Sequence, residues 1–567
     1  MRYVFLAGSA SSSLSRNLSP SRTPSRVPSV FRRPGRAFVP ALVVLALAFV
    51  PVTGADSAPG PLVQVSGASP FAGCTADFVA QQPGTNFLAS EVEPWIVVDP
   101  FDPDHLVGTW QQDRWSNGSA RGVGVAVSFD GGLTWSTSAL PQLTLCTGGP
   151  FVRASDPWLA FGADGDLYHM SLATDGRTGR NAMVIQESAD GGLAWSAPVT
   201  LIDELPPFFN DKNSLTADPV DPNFLYATWD RIDFAAGLAP AVFTRSTDGG
   251  ATFEPVRVIH DPGPTGQTIG NLIVAVPNGP LLDFFNEITF LPVPPFFLQQ
   301  LALKVSFDQG QSWLPGGPNG PSVPVAQMIR GLGSVDPDGS GQAIREGSLL
   351  FDVALDADRG VLYAVWQDFR FSNGAYTSIA FSQSQDGINW SVPVAINQTP
   401  DTVPPLNRQA LVPSVEVNRK GRIAVTYYDF RNNGPEPGAL TDYWAITCQP
   451  ANPAQTFDCS DPASWSGEIR LTDESFDILQ APLTGSGFFL GDYAGLAAAV
   501  NEFYAFFSVS GQDGDPASVF VRRFDEGPER EELEVEAEGS LLGELRSVGA
   551  PALPVPAAPF PGPLTIP

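Results

Sequence analysis

Histidine and cysteine are scarce in this 567-residue chain, which carries three His and four Cys. Structural and catalytic zinc sites draw on clustered Cys and His at short spacings. The spacings of Cys74, Cys146, Cys448 and Cys459 match none of these, so no zinc centre is expected. Positive charge is also short, with 31 Lys and Arg against 60 Asp and Glu, a net charge of −29. So acidic a surface repels nucleic acid and anionic headgroups, which excludes a nucleic-acid partner. Long apolar runs are missing too. The best candidate, Phe38 to Val52, is too short for a membrane span. No 3.6-residue periodicity holds for long, so a helical body is excluded as well.

That apolar run has a different meaning. Residues 1–37 hold seven Arg and no acid, and Thr53-Gly-Ala55 supplies small residues after the run. This is the layout of a secretory signal with a long basic start, placed at residues 1–55. Removing those seven Arg takes the charge from −29 to −36. Export to an extracellular location fits an even number of cysteines joined as two disulfides. Cys448 and Cys459 bracket a Pro/Asn-rich loop, which leaves Cys74 for Cys146. The mature chain is expected to be monomeric, with no stable membrane span.

What the chain has in abundance is one short pattern. Ser128-Phe-Asp-Gly-Gly-Leu-Thr-Trp135 is repeated as Ser188 to Trp195, Ser246 to Phe253, Ser306 to Trp313 and Ser384 to Trp390, with a degenerate copy at Ser460 to Trp465. The closing aromatics lie 60, 58, 60, 77 and 75 residues apart. Repetition at that period means one supersecondary unit used many times. Asp side chains accept hydrogen bonds from nearby amides and Gly tolerates positive φ, so each copy reads as a hairpin turn. Asp130, Asp190, Asp248, Asp308 and Asp386 are therefore read as structural. Gly and Pro, 55 each, suit many short strands joined by turns.

The pattern resembles the Asp box of sialidase-like (BNR-repeat) β-propellers. The resemblance implies an all-β fold of four-stranded antiparallel blades over residues 91–525. Counting inner strands near Trp95, Trp158, Ser214, Leu272, Leu349, Val412 and Tyr493 favours seven blades, with the six of enzymatic sialidases as the alternative. Residues 56–90 are a lead-in segment with a strand that closes the last sheet. Residues 526–567, acidic and then Pro/Ala-rich, read as a disordered tail. An aromatic insertion at 281–299 reads either as a sugar-stacking platform or, preferably, as a lid packed on its own blade.

In such a fold the starts of inner strands and the ends of second strands open onto one face. Glu93, Asp156, Asp211, Glu346 and Asp492 stand at the former, and Asp113-Arg114, Asp230-Arg231, Asp368-Phe-Arg370 and Asp429-Phe-Arg431 at the latter. Arg is suited to two-point capture of a carboxylate. The alternative is that each Asp–Arg pair only ties blades together. The sialidase resemblance further implies Tyr493 as a nucleophile in Gly491-Asp-Tyr-Ala-Gly-Leu496, activated by Glu346 or Glu416. Arg114, Arg370 and Arg431, with Asp113, Asp368 and Asp429, would then hold substrate. Two family positions are unfilled: Glu93-Pro-Trp stands where an Arg motif belongs, and the loop after Arg114 has no acid/base Asp.

No motif requires a cofactor. Calcium is left open at Asp336-Pro-Asp-Gly-Ser-Gly341, where Asp336, Asp338 and Ser340 alternate around a Gly turn. Three functions are carried forward: an exo-α-sialidase-like glycoside hydrolase or lyase acting on extracellular glycans, a non-catalytic propeller that binds a glycan or protein, and a surface-structural role mediated by the acidic tail.

Overall fold

A computed structural model of the chain describes residues 58–331, 333–448 and 459–524. Residues 1–55, read from sequence as a signal, and 526–567, read as a tail, lie outside the described residues.

The chain folds as antiparallel four-stranded sheets taken up one after another. Glu91–Val98, Leu106–Arg114, Ala120–Ser128 and Ser136–Ala139 pair in that order, and a single bridge from Ala120 to Ala154 links them to the next group. Arg153–Phe161, Phe208–Ala217, Gly266–Ala275, Phe351–Asp356 and Ala410–Val417 each begin a further four-stranded group. The last group runs Gly495–Ala498, Phe503–Val509, Ser518–Phe524 and then back to Leu62–Gln64 from the lead-in segment. First strands of successive groups lie beside each other, and Gly495–Ala498 lies against Glu91–Val98. This is the radial repetition of a β-propeller, the fold that the Asp boxes imply.

The second strands explain why the sheets stack. In Leu106–Arg114, Leu167–Thr174 and Val361–Asp368 every residue is buried, because both faces pack on neighbouring sheets. Trp110, Trp229 and Trp366 fill the space between sheets. Sheet-to-sheet stacking is thus the core, with apolar clusters that each draw on adjacent sheets.

The boxes sit at the turn between third and fourth strands. Asp130 Oδ1 accepts from the Thr134 amide at 2.8 Å and Oδ2 from the Thr134 hydroxyl at 2.6 Å. Asp190, Asp248, Asp308 and Asp386 repeat the bond to the amide of Ala194, Thr252, Ser312 and Asn389. Trp135, Trp195 and Trp390 each donate their indole N–H back to a box Gly carbonyl. Asp130→Ala removes this acceptor from a solvent-facing turn, with an expected loss of about 1 kcal/mol, as for a lost helix cap. Urea unfolding measures that loss, and ligand binding stays unchanged.

Cys74–Cys146 and Cys448–Cys459 are both disulfide-bonded, and no free cysteine is found among the described residues. No helix among the described residues is long and apolar enough to cross a membrane. One sequence reading holds for most of its segment and fails at the tip. The 281–299 insertion is a hairpin of Leu281–Phe290 and Phe297–Ser306, but its tip does not pack on its own sheet: Phe290, Val293, Phe296 and Leu298 are 41–61% exposed. Six residues, 291–296, join the two strands.

Candidate functional site

The first strands share a local irregularity that builds the site. A bulge falls between Val92 and Trp95, Ser155 and Trp158, Asp211 and Ser214, Ile269 and Leu272, and Leu411 and Ser414. At each bulge one residue takes positive φ: Glu93 (53°), Asp156 (49°), Lys212 (52°), Gly270 (74°) and Val412 (51°). Left-handed backbone costs a non-glycine residue on the order of 1–2 kcal/mol, and a β-branched one such as Val412 is a genuine outlier. The cost recurs at one level of the sheets. At three of the five the residue is charged, Glu93, Asp156 and Lys212, and backbone strain of this kind clusters at functional sites.

A cavity of about 50 Å³ lies at that level. It is lined by Trp95, Trp158, Lys212, Asn271, Asp352 and Tyr493, among others, so it sits where the first strands converge. Trp95 and Trp158 stack with ring centroids 3.6 Å apart, and Tyr493 meets both edge-on at 6.1 and 5.6 Å. Both Trp rings are only partly buried. Asn213 and Asn271 use their amide N–H groups on Asp156 and Asp230, which fixes their Oδ1 atoms as the free ends. Those Oδ1 atoms and Trp95 Nε1 are buried without a hydrogen-bond partner among the described residues.

Beside the aromatics is a compact ionic cluster. Lys212 Nζ lies 2.7 Å from Asp492 Oδ2 and 3.2 Å from Glu93 Oε1. Arg345 Nε donates to Asp492 Oδ1 at 2.9 Å, and its Nη2 pairs with Oδ2. Gln111 Nε2 donates to Glu93 and to Ser155 Oγ, while Arg114 Nη1 donates to Gln111 Oε1 at 3.1 Å. Burial alone would raise the Asp492 carboxyl, but Arg345 and Lys212 hold it far below its usual range. Burial would likewise lower Lys212, and Asp492 and Glu93 override it, so Lys212 stays charged. Asp211 is pushed up to about 7 by burial and by Asp156. Close approach is what lets the Asp492 segment reach the cluster. A Cβ on Gly347 would meet Asp492 O at 2.3 Å, and one on Gly491 would meet Tyr493 O at 2.6 Å.

The structure separates the residues that the sialidase resemblance groups together. Tyr493 is at the cavity, but its hydroxyl donates to Pro157 O at 3.3 Å, and no carboxylate accepts its proton. Burial, reinforced by Glu93, Asp156 and Asp492, raises the phenol well above its usual range, so it stays neutral. Glu346 faces away and accepts from the Ser334 amide at 2.7 Å, while Glu416 is paired in its strand beside Asp352. Neither is hydrogen-bonded to the Tyr493 hydroxyl.

Of the three arginines only Arg114 joins the cluster, lying over the Phe489 ring at 5.0 Å. Arg370 pairs with Asp368 at 2.8 Å in its own sheet. Arg431 pairs with Asp429 at 2.5 Å and with Glu468, over Trp444 at 3.8 Å. Arg370 also donates to Gln327 O and Arg431 to Thr399 Oγ1 at 3.3 Å, so both pairs tie their sheet to the one before it. Asp113 anchors the lead-in segment through Ser69 Oγ (2.7 Å) and the Ala89 amide (2.9 Å), Asp368 holds the Ile329 amide, and Asp429 holds Thr399 Oγ1.

Asp336 and Asp338 turn inward on their own loop, accepting from the Asp338 and Ser340 amides and from the Ser340 hydroxyl. They hold no third acid within ligand reach. The one group of three potential ligands among the described residues is Cys74, Asp77 and Cys146. Two of these form a disulfide, and the third pairs with Arg121 at 2.6 Å.

Sequence reasoning missed Lys212, Arg345 and the Trp95–Trp158 stack. The available signal was an acidic residue followed by Pro-Trp, present twice, at Glu93 and Asp156.

Buried carboxyls give the protein a pH signature. Glu91 and Glu416 are pushed up to about 8, and Asp230, Asp352 and Glu468 to about 7, in each case by burial first. A raised carboxyl means that the native chain keeps a proton the unfolded chain has released. That stability is full below the unfolded value near 4 and is lost as pH rises through 7 to 8. Thermal unfolding is therefore expected at lower temperature at about pH 8.5 than at about pH 5.5.

No protein-family model matches the chain, and no curated protein matches it. Among solved structures it is similar to Hadza microbial sialidase Hz136, with 15% identity and a TM-score of 0.41. That match covers 60% of this chain and 64% of that one, so the chain spans under two thirds of that structure's length. It is also similar to Penicillium chrysogenum alpha-L-arabinanase complexed with arabinobiose, at 12% identity, TM-score 0.41 and 83% and 99% coverage. Trypanosoma rangeli sialidase in complex with sialic acid matches at 14% identity, TM-score 0.35 and 77% and 54% coverage.

Proposed function

We propose that this protein is an exported, seven-bladed propeller that binds a neutral glycan at the mouth of its central channel and does not cleave it through Tyr493. Export rests on the basic, apolar and small-residue layout of residues 1–55, and the ring is taken to close through the pairing of Leu62–Gln64 with Ser518–Phe524.

The observation that carries the reading is the Trp95–Trp158–Tyr493 cluster beside unpartnered Asn213 and Asn271 oxygens. Sugars present apolar C–H faces to aromatic rings and hydroxyl donors to amide oxygens. The 50 Å³ cavity is well below the roughly 300 Å³ of a typical ligand pocket. It admits a hydroxyl-bearing substituent or water, while the ring of the sugar rests on the aromatic rim.

Neutral is favoured over sialic acid for two reasons. Lys212 and Arg345 are both committed to Asp492, and a mature charge of −36 opposes an anionic ligand. Hydrolysis by the sialidase route lacks its parts, since Tyr493 has no carboxylate partner and Arg370 and Arg431 are tied to Asp368 and Asp429.

A glycan array paired with a fluorogenic sialoside assay tests this. The expected result is retention of neutral glycans, no sialoside turnover, and unchanged behaviour for Arg370→Lys. Turnover that Arg370→Lys abolishes would restore the hydrolase.

A further inference from the structure

The hairpin tip between Leu281–Phe290 and Phe297–Ser306 joins the second and third strands of its sheet. Between Glu287 and Lys304 no residue is charged, in a chain of net charge −29. Phe290, Val293, Phe296 and Leu298 stand 43, 61, 56 and 41% exposed on it. Water is an unfavourable neighbour for such a group, and contiguous exposed apolar side chains mark a docking surface.

The backbone says which kind of partner fits. Pro292, Pro294 and Pro295 carry no N–H at all. The Leu291 amide donates to Phe296 O at 2.6 Å, the Phe296 amide to Val293 O at 2.9 Å, and the Phe290 amide to Thr265 O at 2.7 Å. Nearly every donor of the tip is thus absent or already satisfied, which lowers the cost of moving this backbone into a medium poor in hydrogen-bonding partners. A protein interface would instead carry a polar rim, about one hydrogen bond per 100–200 Å². Two tips meeting in a dimer would bury four side chains a side, short of the roughly 1,000 Å² of a stable interface.

We propose that this tip seats in the headgroup–acyl boundary of an electrically neutral lipid bilayer. Neutral headgroups follow from the chain's charge, which repels anionic ones. The tip lies at the end of a second strand, on the side where second strands reach the channel mouth, so a docked molecule would present that mouth to the lipid surface. The inference stands on the hairpin alone and does not depend on what the mouth binds.

The test is co-sedimentation of the full exported chain with phosphatidylcholine vesicles, alongside vesicles containing phosphatidylserine. Binding to phosphatidylcholine at on the order of millimolar lipid is expected, weakened by phosphatidylserine, and at least about tenfold weaker in a Val293→Asp/Phe296→Asp variant. These two side chains are exposed, so the variant should unfold at the wild-type temperature. Because no free cysteine is found among the described residues, a Phe296→Cys chain labelled with an environment-sensitive dye should shift to the blue with vesicles. Equal vesicle binding by the Asp variant would overturn the proposal, as would no binding by the wild type. A wild-type dimer in light scattering that the Asp variant dissociates would assign the tip to a second copy and overturn it equally.

Discussion

Asp492→Asn is expected to destabilise the protein by about 3 kcal/mol, because one buried carboxylate balances two partly buried cations. Lys212 and Arg345 both close on Asp492, and neither can turn to bulk water without breaking the fit of the cluster. An amide in place of the carboxylate leaves Arg345 without its carboxylate partner and Lys212 with Glu93 alone, and points N–H donors at both. The effect has a definite pH range. Because the Asp492 carboxyl is held below its ordinary value of 3.8, its contribution is present above that value and lost as pH falls through the lower folded one. Lys212 is held above 10.5, so its contribution is full below 10.5 and lost only at still higher pH. The two together give a plateau across neutral pH, and urea unfolding near pH 7 reads the whole loss. An Asp492→Asn protein as stable as wild type would mean that Lys212 and Arg345 are free to hold an anionic ligand.

Trp158→Ala is expected to reduce glycan binding by about 30-fold or more, the scale on which truncation of a Trp anchor acts. Its ring forms one half of the stack with Trp95 and also meets Tyr493. Truncation removes the apolar rim while leaving the sheet pairing of Arg153–Phe161 intact. Trp158→Phe should retain part of the binding, since a ring face survives. Isothermal titration with a neutral oligosaccharide separates the variants. Comparable stability across them would show that the loss belongs to the ligand contact.

The fold was legible because its determinants are local and repeated. Asp130 and its counterparts bond amides within four residues, so each box announces its own turn. Alternation and turn spacing then marked the strands, and the disulfide pairs followed from having four cysteines. The site was harder to read because it is assembled across the ring. Lys212 meets Asp492 from 280 residues away, and Arg345 meets the same side chain from 147. No spacing rule links such positions. The sequence reading singled out Glu346 in the correct loop, yet the contacts to the Asp492 segment come from its neighbours Arg345 and Gly347. Arg370 and Arg431 misled for a related reason. Their Asp partners lie two residues away, and such a short-range pair forms whether or not a ligand exists. The bulges that aim Glu93, Asp156 and Lys212 are a property of backbone register, which side-chain patterns alone do not reveal.

Binding at the channel mouth is tested most directly by hydrogen exchange with and without the neutral glycan that the protein retains. New protection is expected in peptides covering Val92 to Trp95, Ser155 to Trp158, Asp211 to Ser214 and Gly491 to Gly495, with the glycan recovered intact. Protection confined to the Arg370 and Arg431 loops, or recovery of the glycan as cleaved product, would contradict a non-hydrolytic site at the mouth.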